Sequence, residues 1–299
     1  MKEKIKCKKC GLFIDSDCET CPYCGYPQHD ENNDKKNDDS ISLNVDDLAK
    51  KETKEDNPKK STLHFFDFES REMKIKVYKN VSLFVVGFIV LKFVAFIFEL
   101  IASSTGSWYF ISSGTASASI NFAAYLITFG IILLILNKDS SMFFKEFKNI
   151  WTWVIGVGFG GLLILASSAV NSLMQLFQQS GVNANETSID SITASFPFLS
   201  IFIFGIIGPI CEEFTYRAGF FSLLKKYNRV VAYIGTALLF GFLHFTFDLD
   251  NLVTELINLP GYMVAGLLLC YFYDYKGIGT STIAHVTNNL VALISQLLI

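Results

Sequence analysis

The sequence predicts an all-α, polytopic membrane helix bundle of about seven spans behind a small cysteine-rich N-terminal module. Three observations carry that prediction. First, 51% of the 299 residues are hydrophobic and 29 are Phe, while only 18% are charged. Those charges crowd into the first eighty residues, and the remainder of the chain is too apolar for a water-soluble domain. Second, apolar segments recur at 81–102, 120–136, 151–177, 196–224, 230–247, 252–273 and 278–299. Each is near the length that crosses a bilayer core. Third, Lys and Arg occupy alternate connections. Arg71, Lys74, Lys76 and Lys79 precede the first span, and Lys138, Lys145 and Lys148 follow the second. Lys225, Lys226 and Arg229 follow the fourth, and Lys276 follows the sixth, whereas 103–119, 178–195 and 248–251 hold no Lys or Arg. The positive-inside rule then places the N-terminus in the cytosol and the C-terminus outside. A multi-pass protein of the cell membrane is expected, with the bilayer itself as a partner. Nothing in a net charge of −3 calls for nucleic acid, and no nucleic-acid partner is expected.

The N-terminal module, 1–27, carries two knuckles, Cys7-Lys8-Lys9-Cys10-Gly11 and Cys21-Pro22-Tyr23-Cys24-Gly25. A glycine after each second cysteine lets the backbone turn its amides toward the thiolates. Four thiolates suit a closed, tetrahedral structural zinc site, and so short a segment needs such a staple to fold. The expectation is a zinc ribbon with Cys7, Cys10, Cys21 and Cys24 as ligands. Cys18-x-x-Cys21 is a rival pair. A disulfide or redox pair fits less well, because the chain opens on Met1-Lys2-Glu3-Lys4 with no apolar leader and is expected to start in the cytosol.

Residues 28–61 are mostly Asp, Glu, Asn and Lys and read as a disordered linker. Residues 62–79 mix Phe65, Phe66 and Phe68 with basic residues and read as a juxtamembrane surface segment. The membrane domain is 80–299, with a short amphipathic interfacial helix expected at 142–148. Lys92 and Glu99, seven apart in the first span, are expected to neutralise one another or to snorkel.

Inside the fourth span stands Gly208-Pro209-Ile210-Cys211-Glu212-Glu213-Phe214-Thr215-Tyr216-Arg217. Three charges in six residues of an intramembrane segment are costly and usually functional. Glu213 and Arg217 are four apart, share a helical face and can pair. Glu212 points about 100° away, which leaves it without a local partner. A desolvated carboxylate of that kind suits general acid–base work. Gly208-Pro209 should kink the helix just before it, since proline removes a backbone hydrogen bond. His244 lies in the fifth span within Phe240-x-x-x-His244, and His285 in the seventh within His285-x-x-x-Asn289. At ~1.5 Å per residue from the basic ends, Glu212 is ~20 Å, His244 ~22 Å, Asn289 ~18 Å and His285 ~12 Å deep. These depths let them meet.

Glu-Glu-x-x-x-Arg (Glu212, Glu213, Arg217), Phe-x-x-x-His (Phe240, His244) and His-x-x-x-Asn (His285, Asn289) resemble the three signature motifs of the CAAX protease and bacteriocin-processing family. That family holds the Rce1-like prenyl endopeptidases. The resemblance covers 196–299 and leaves the N-terminal module outside. It implies an all-helical intramembrane protease acting on a peptide or protein. It further implies that Glu212 activates water with His244 assisting, that His285 and Asn289 stabilise the oxyanion, and that Glu213 and Arg217 organise the site. One carboxylate and two histidines would also make an open catalytic zinc site, although no His-Glu-x-x-His occurs. The metal question stays open at this level, as do the substrate, its prenylation and the oligomeric state. Two readings of other classes compete: a non-catalytic immunity or scaffold protein of the same fold, and a proton-coupled transporter.

Overall fold

The computed structural model describes residues 4–7, 13–16, 18–20, 27, 68–104, 114–177, 184–246 and 251–298. The chain divides into two units, Met1–Thr62 and Leu63–Ile299. In the first, β1 (Lys4–Lys6) and β2 (Phe13–Asp15) pair antiparallel with Ile5 opposite Ile14. Cys7 and Ile14 are buried, and Cys18 packs against them. The ligand positions Cys10, Cys21 and Cys24, like the linker 28–61, lie outside the described residues.

The second unit is helical: α1 (Val77–Ser104), α2 (Gly114–Leu136), α3 (Ser140–Glu146), α4 (Ile150–Gln175), α5 (Ala184–Ser195), α6 (Pro197–Lys225), α7 (Arg229–Leu243), α8 (Leu252–Lys276) and α9 (Ile278–Leu298). Each of the seven apolar segments coincides with a helix, and α3 occupies the place of the interfacial one. Among the described residues four runs are long and apolar enough to cross a membrane: Ala118–Glu146, Ile150–Gln175, Pro197–Lys225 and Leu252–Lys276. The fifth segment is shorter than its sequence suggests. Helix α7 stops at Leu243, so His244 is its C-terminal cap residue rather than a mid-span group. At 15 residues it rises ~22 Å, short of a ~30 Å bilayer core. The side chains of Lys92 and Glu99 lie outside the described residues.

The unit buries several charges within its apolar core and exposes many large apolar side chains. Leu134, Leu165 and Phe198 are largely exposed, while Glu213, Arg217 and Asp274 are wholly buried. Water would penalise that distribution, and lipid favours it. Helix α9 lies against α4 at Gly156 and Gly160. A Cβ on Gly160 would come within 2.5 Å of Thr287, and one on Gly156 within 2.7 Å of Ile283. The close approach fixes the height of α9, and with it His285 and Asn289. The Glu146 carboxylate of α3 accepts from the Gly279 N–H at 2.6 Å, capping the start of α9.

The basic stretch before α1 keeps Arg71, Lys74 and Lys76 exposed, and its backbone is docked on the helical unit. In its described part, 68–79, Met73 is buried and its N–H donates to the Tyr273 hydroxyl at 2.9 Å. The Arg71 N–H donates to the Asp274 carbonyl at 2.8 Å. Lys79 Nζ donates at 2.7 Å both to Asp139 and to the Leu136 carbonyl. The buried Asp274 carboxylate binds Lys225 at 2.7 Å, Arg229 at 2.8 Å and the Tyr233 hydroxyl at 3.0 Å. The strap 68–76 is thus fastened to the ends of α6 and α8 by its backbone and by the Glu72–Lys225 contact at 3.5 Å, while Arg71, Lys74 and Lys76 remain exposed.

Candidate active site

The Gly208-Pro209 pair shapes α6 differently from a simple kink. The helix widens into π-helical turns at Ile203–Ile207 and Glu213–Phe221, on either side of the α-helical Gly208–Glu212. In the first, the Gly208 N–H reaches back five residues to the Ile203 carbonyl. In that register the next carbonyl, Phe204, would take the N–H of residue 209, which is proline and has none. Asn289 fills the gap: its Nδ2 donates to the Phe204 carbonyl at 3.1 Å. The neighbouring Asn288 donates to Asn289 Oδ1 at 3.1 Å, which fixes the orientation of the amide. The motif asparagine is therefore locked to the proline turn of the glutamate helix.

Adjacent on the chain, the two glutamates have different surroundings. Glu213 and Arg217 have no exposed side-chain surface, and Arg217 Nη1 lies 3.0 Å from Glu213 Oε1. The same oxygen is 3.0 Å from His285 Nδ1. A carboxylate paired with arginine only accepts, so Nδ1 carries the hydrogen, and Nε2 is the nitrogen that faces outward. Arg217 also lies over the Phe240 ring, 4.6 Å from its centroid. Phe240 in turn packs against His244 and His285, with ring centroids 4.7 Å and 6.0 Å away. This phenylalanine thus ties the three motifs together.

Glu212 retains 14% of its side-chain surface and lines a cavity of about 580 Å³. His244, His285 and Asn289 line the same cavity. Among the described residues Glu212 finds no partner within α6 but meets two groups from other helices. Its Oε1 accepts from the Tyr125 hydroxyl of α2 at 3.4 Å, and its Oε2 lies 3.8 Å from His285 Nε2. Both partners come from other helices, so helical spacing within α6 could not reveal them. His244 is held through Nδ1 to the Phe240 carbonyl at 2.9 Å and stacks on Tyr262 at 4.5 Å.

Four further residues of the cavity are not evident from sequence motifs. Tyr125 had a visible signal, because a phenol in the middle of an apolar span must find a partner for its hydroxyl. Asn185, Glu186 and Asp190 come from α5, a helix in what reads as a loop. Its apolar positions are too few to show a helical period. Glu186 accepts from Tyr262 at 3.1 Å, and burial raises its carboxyl above the usual range while that hydrogen bond opposes the rise.

Whether the site could hold a metal turns on how its donors converge. Among the described residues no three His, Cys, Asp or Glu side chains converge in a way that could hold an ion. The constellation is a carboxylate facing a cavity, backed by a second carboxylate that pairs with arginine and orients a histidine.

Comparison with known proteins agrees with the motifs. The Type II CAAX prenyl endopeptidase Rce1-like family model matches residues 194–291. The UPF0177 protein YvdC of Lactococcus lactis subsp. lactis (strain IL1403) is 25% identical over 186 residues, which covers 62% of this chain and 68% of that protein. No solved structure matches. Residues 194–291, which hold all seven motif residues, are similar to the Rce1-like family.

Proposed function

We propose that the protein is an intramembrane endopeptidase, cutting a peptide bond near the C-terminus of a protein or within a peptide precursor. One observation supports this most: of two adjacent glutamates, one faces a cavity shared with His244, His285 and Asn289, and the other is sealed behind it on Arg217. A merely structural ion network has no use for the first. In this reading Glu212, assisted by His244, takes a proton from water as the water oxygen bonds to the scissile carbonyl carbon. The carbonyl oxygen becomes an oxyanion, received by the second hydrogen of the Asn289 amide and by an Nε2–H of His285 in its doubly protonated form, whose charge Glu213 balances at Nδ1. The C–N bond then breaks, and the proton on Glu212 passes to the leaving amine. Glu213 and Arg217 hold His285 in place. Every step is assigned to side chains of this chain.

The test is quantitative proteomics of C-terminal and internal peptide ends in membranes carrying the wild-type protein or Glu212→Gln. Ends that appear only with the wild type support the reading. Identical sets of ends from the two strains would refute it.

A further inference from the structure

We infer that Tyr125 is a positioning residue for Glu212, and that the working site therefore includes α2, a helix outside the Rce1-like stretch. The inference rests on the protease reading for its functional meaning, and on geometry for the contact itself.

A carboxylate that must act as a base in an apolar cavity has a free rotor. Nothing in α6 stops Glu212 from turning its charge away from the substrate. Tyr125 supplies the restraint. Its hydroxyl donates to Oε1, while Oε2 is left facing His285 Nε2. The two oxygens are thereby distinguished, one held by a phenol and one presented beside the motif histidine. The 3.4 Å separation is long for a hydroxyl and a carboxylate. Catalytic hydrogen bonds of this length tighten once substrate fills the site.

The surroundings fix the phenol in that place. Its ring meets Phe204 edge-on at 5.9 Å. Its Cε1 lies 3.3 Å from where a Cβ would stand on Gly208, so glycine at that position lets the ring lie against the α6 backbone. The Tyr125 carbonyl accepts from the Cys211 thiol at 3.6 Å, which ties the α2 backbone to the residue just before Glu212. Phe204 and Gly208 belong to the same proline turn that Asn289 completes. One local irregularity in α6 thus seats both the asparagine and the tyrosine around Glu212. The other hydroxyl of that stretch of α2, Thr128, is turned back onto the Ala124 carbonyl at 2.7 Å.

The test uses the full chain in detergent or nanodiscs, with 3-fluorotyrosine placed at position 125. Its ¹⁹F resonance should move on Glu212→Gln. It should stay in place on Glu186→Gln, which alters the same cavity at the Tyr262 contact. A resonance unmoved by Glu212→Gln overturns the inference. In membranes, Tyr125→Phe keeps the ring packing and removes only the hydroxyl. It should leave the melting temperature unchanged and slow the Glu212-dependent appearance of new peptide ends by about 10- to 100-fold. Wild-type rates in Tyr125→Phe would overturn the positioning role even if the resonance is coupled. If no Glu212-dependent ends exist, the protease reading fails, and the ¹⁹F comparison still decides whether Tyr125 holds Glu212.

Discussion

Glu212 and Glu213 differ in position by one residue and in chemistry by what surrounds them. Glu213 carries the charge balance of the buried site, since Arg217 and His285 share its Oε1. Glu213→Gln strands Arg217 as a buried charge, which costs roughly 3–5 kcal/mol. The expected outcome is a lower melting temperature in detergent together with lost turnover. Arg217→Met in that background should recover part of the stability, because both charges are then gone. Glu212→Gln keeps size and hydrogen bonding, so it should abolish turnover with little change in melting temperature. Strict additivity of Glu213→Gln and Arg217→Met in melting experiments would contradict the pairing. Much of this was legible in sequence, because a four-residue spacing brings Glu213 to Arg217 through local geometry. The partners of Glu212 were not, because Tyr125 is 87 residues away in the chain and no local period encodes a contact between helices.

Helix α6 shows how one proline organises an element. Pro209 deprives the Phe204 carbonyl of its π-helical donor, and Asn289 replaces it. Asn289→Leu should cost about 1–3 kcal/mol, the penalty of an unsatisfied buried carbonyl. Pro209→Ala restores a backbone N–H at the right place. The cost of Asn289→Leu should therefore shrink in the Pro209→Ala background, as a double-mutant cycle on melting temperature would read out. An undiminished cost would mean that the carbonyl is not what Asn289 serves. At the opposite end of α6, Asp274 holds Lys225 and Arg229. Asp274→Asn should lower the melting temperature and make the strap 68–76 accessible to protease, and intact protection would contradict its role as the fastening. The sequence marked Pro209 as a helix irregularity and 71–79 as basic. Whether that irregularity would open as a kink or a π-turn, and whether the backbone of that stretch would dock on Tyr273 and Asp274, depended on neighbours supplied by α8 and α9.

At the scale of the molecule, two expectations from the sequence await their own measurements. The loop charges call for an N-terminus in the cytosol and a C-terminus outside. Single cysteines placed in α5 of a variant lacking native thiols should react with impermeant reagent from outside the cell, and labelling only from the cytosolic side would sink that topology. The paired knuckles call for one zinc per chain, read by elemental analysis of the purified full-length protein. Cys24→Ser should abolish it, and undiminished zinc in that variant would reassign the ligands, with Cys18 the first substitute because it packs beside Cys7.

By itself the sequence determined the helical class, the number and order of apolar segments, and the six residues on which the chemistry is proposed to rest. Those properties are written in composition, in length against bilayer thickness and in spacings of three to five residues, all of which act locally along the chain. Tertiary structure alone supplied the cavity that Glu212 faces. It also decided that His244 ends its helix, that α5 lines the site and that Tyr125 reaches Glu212. Each of these depends on packing between helices distant in sequence, where a shift of one turn would exchange a buried partner for lipid.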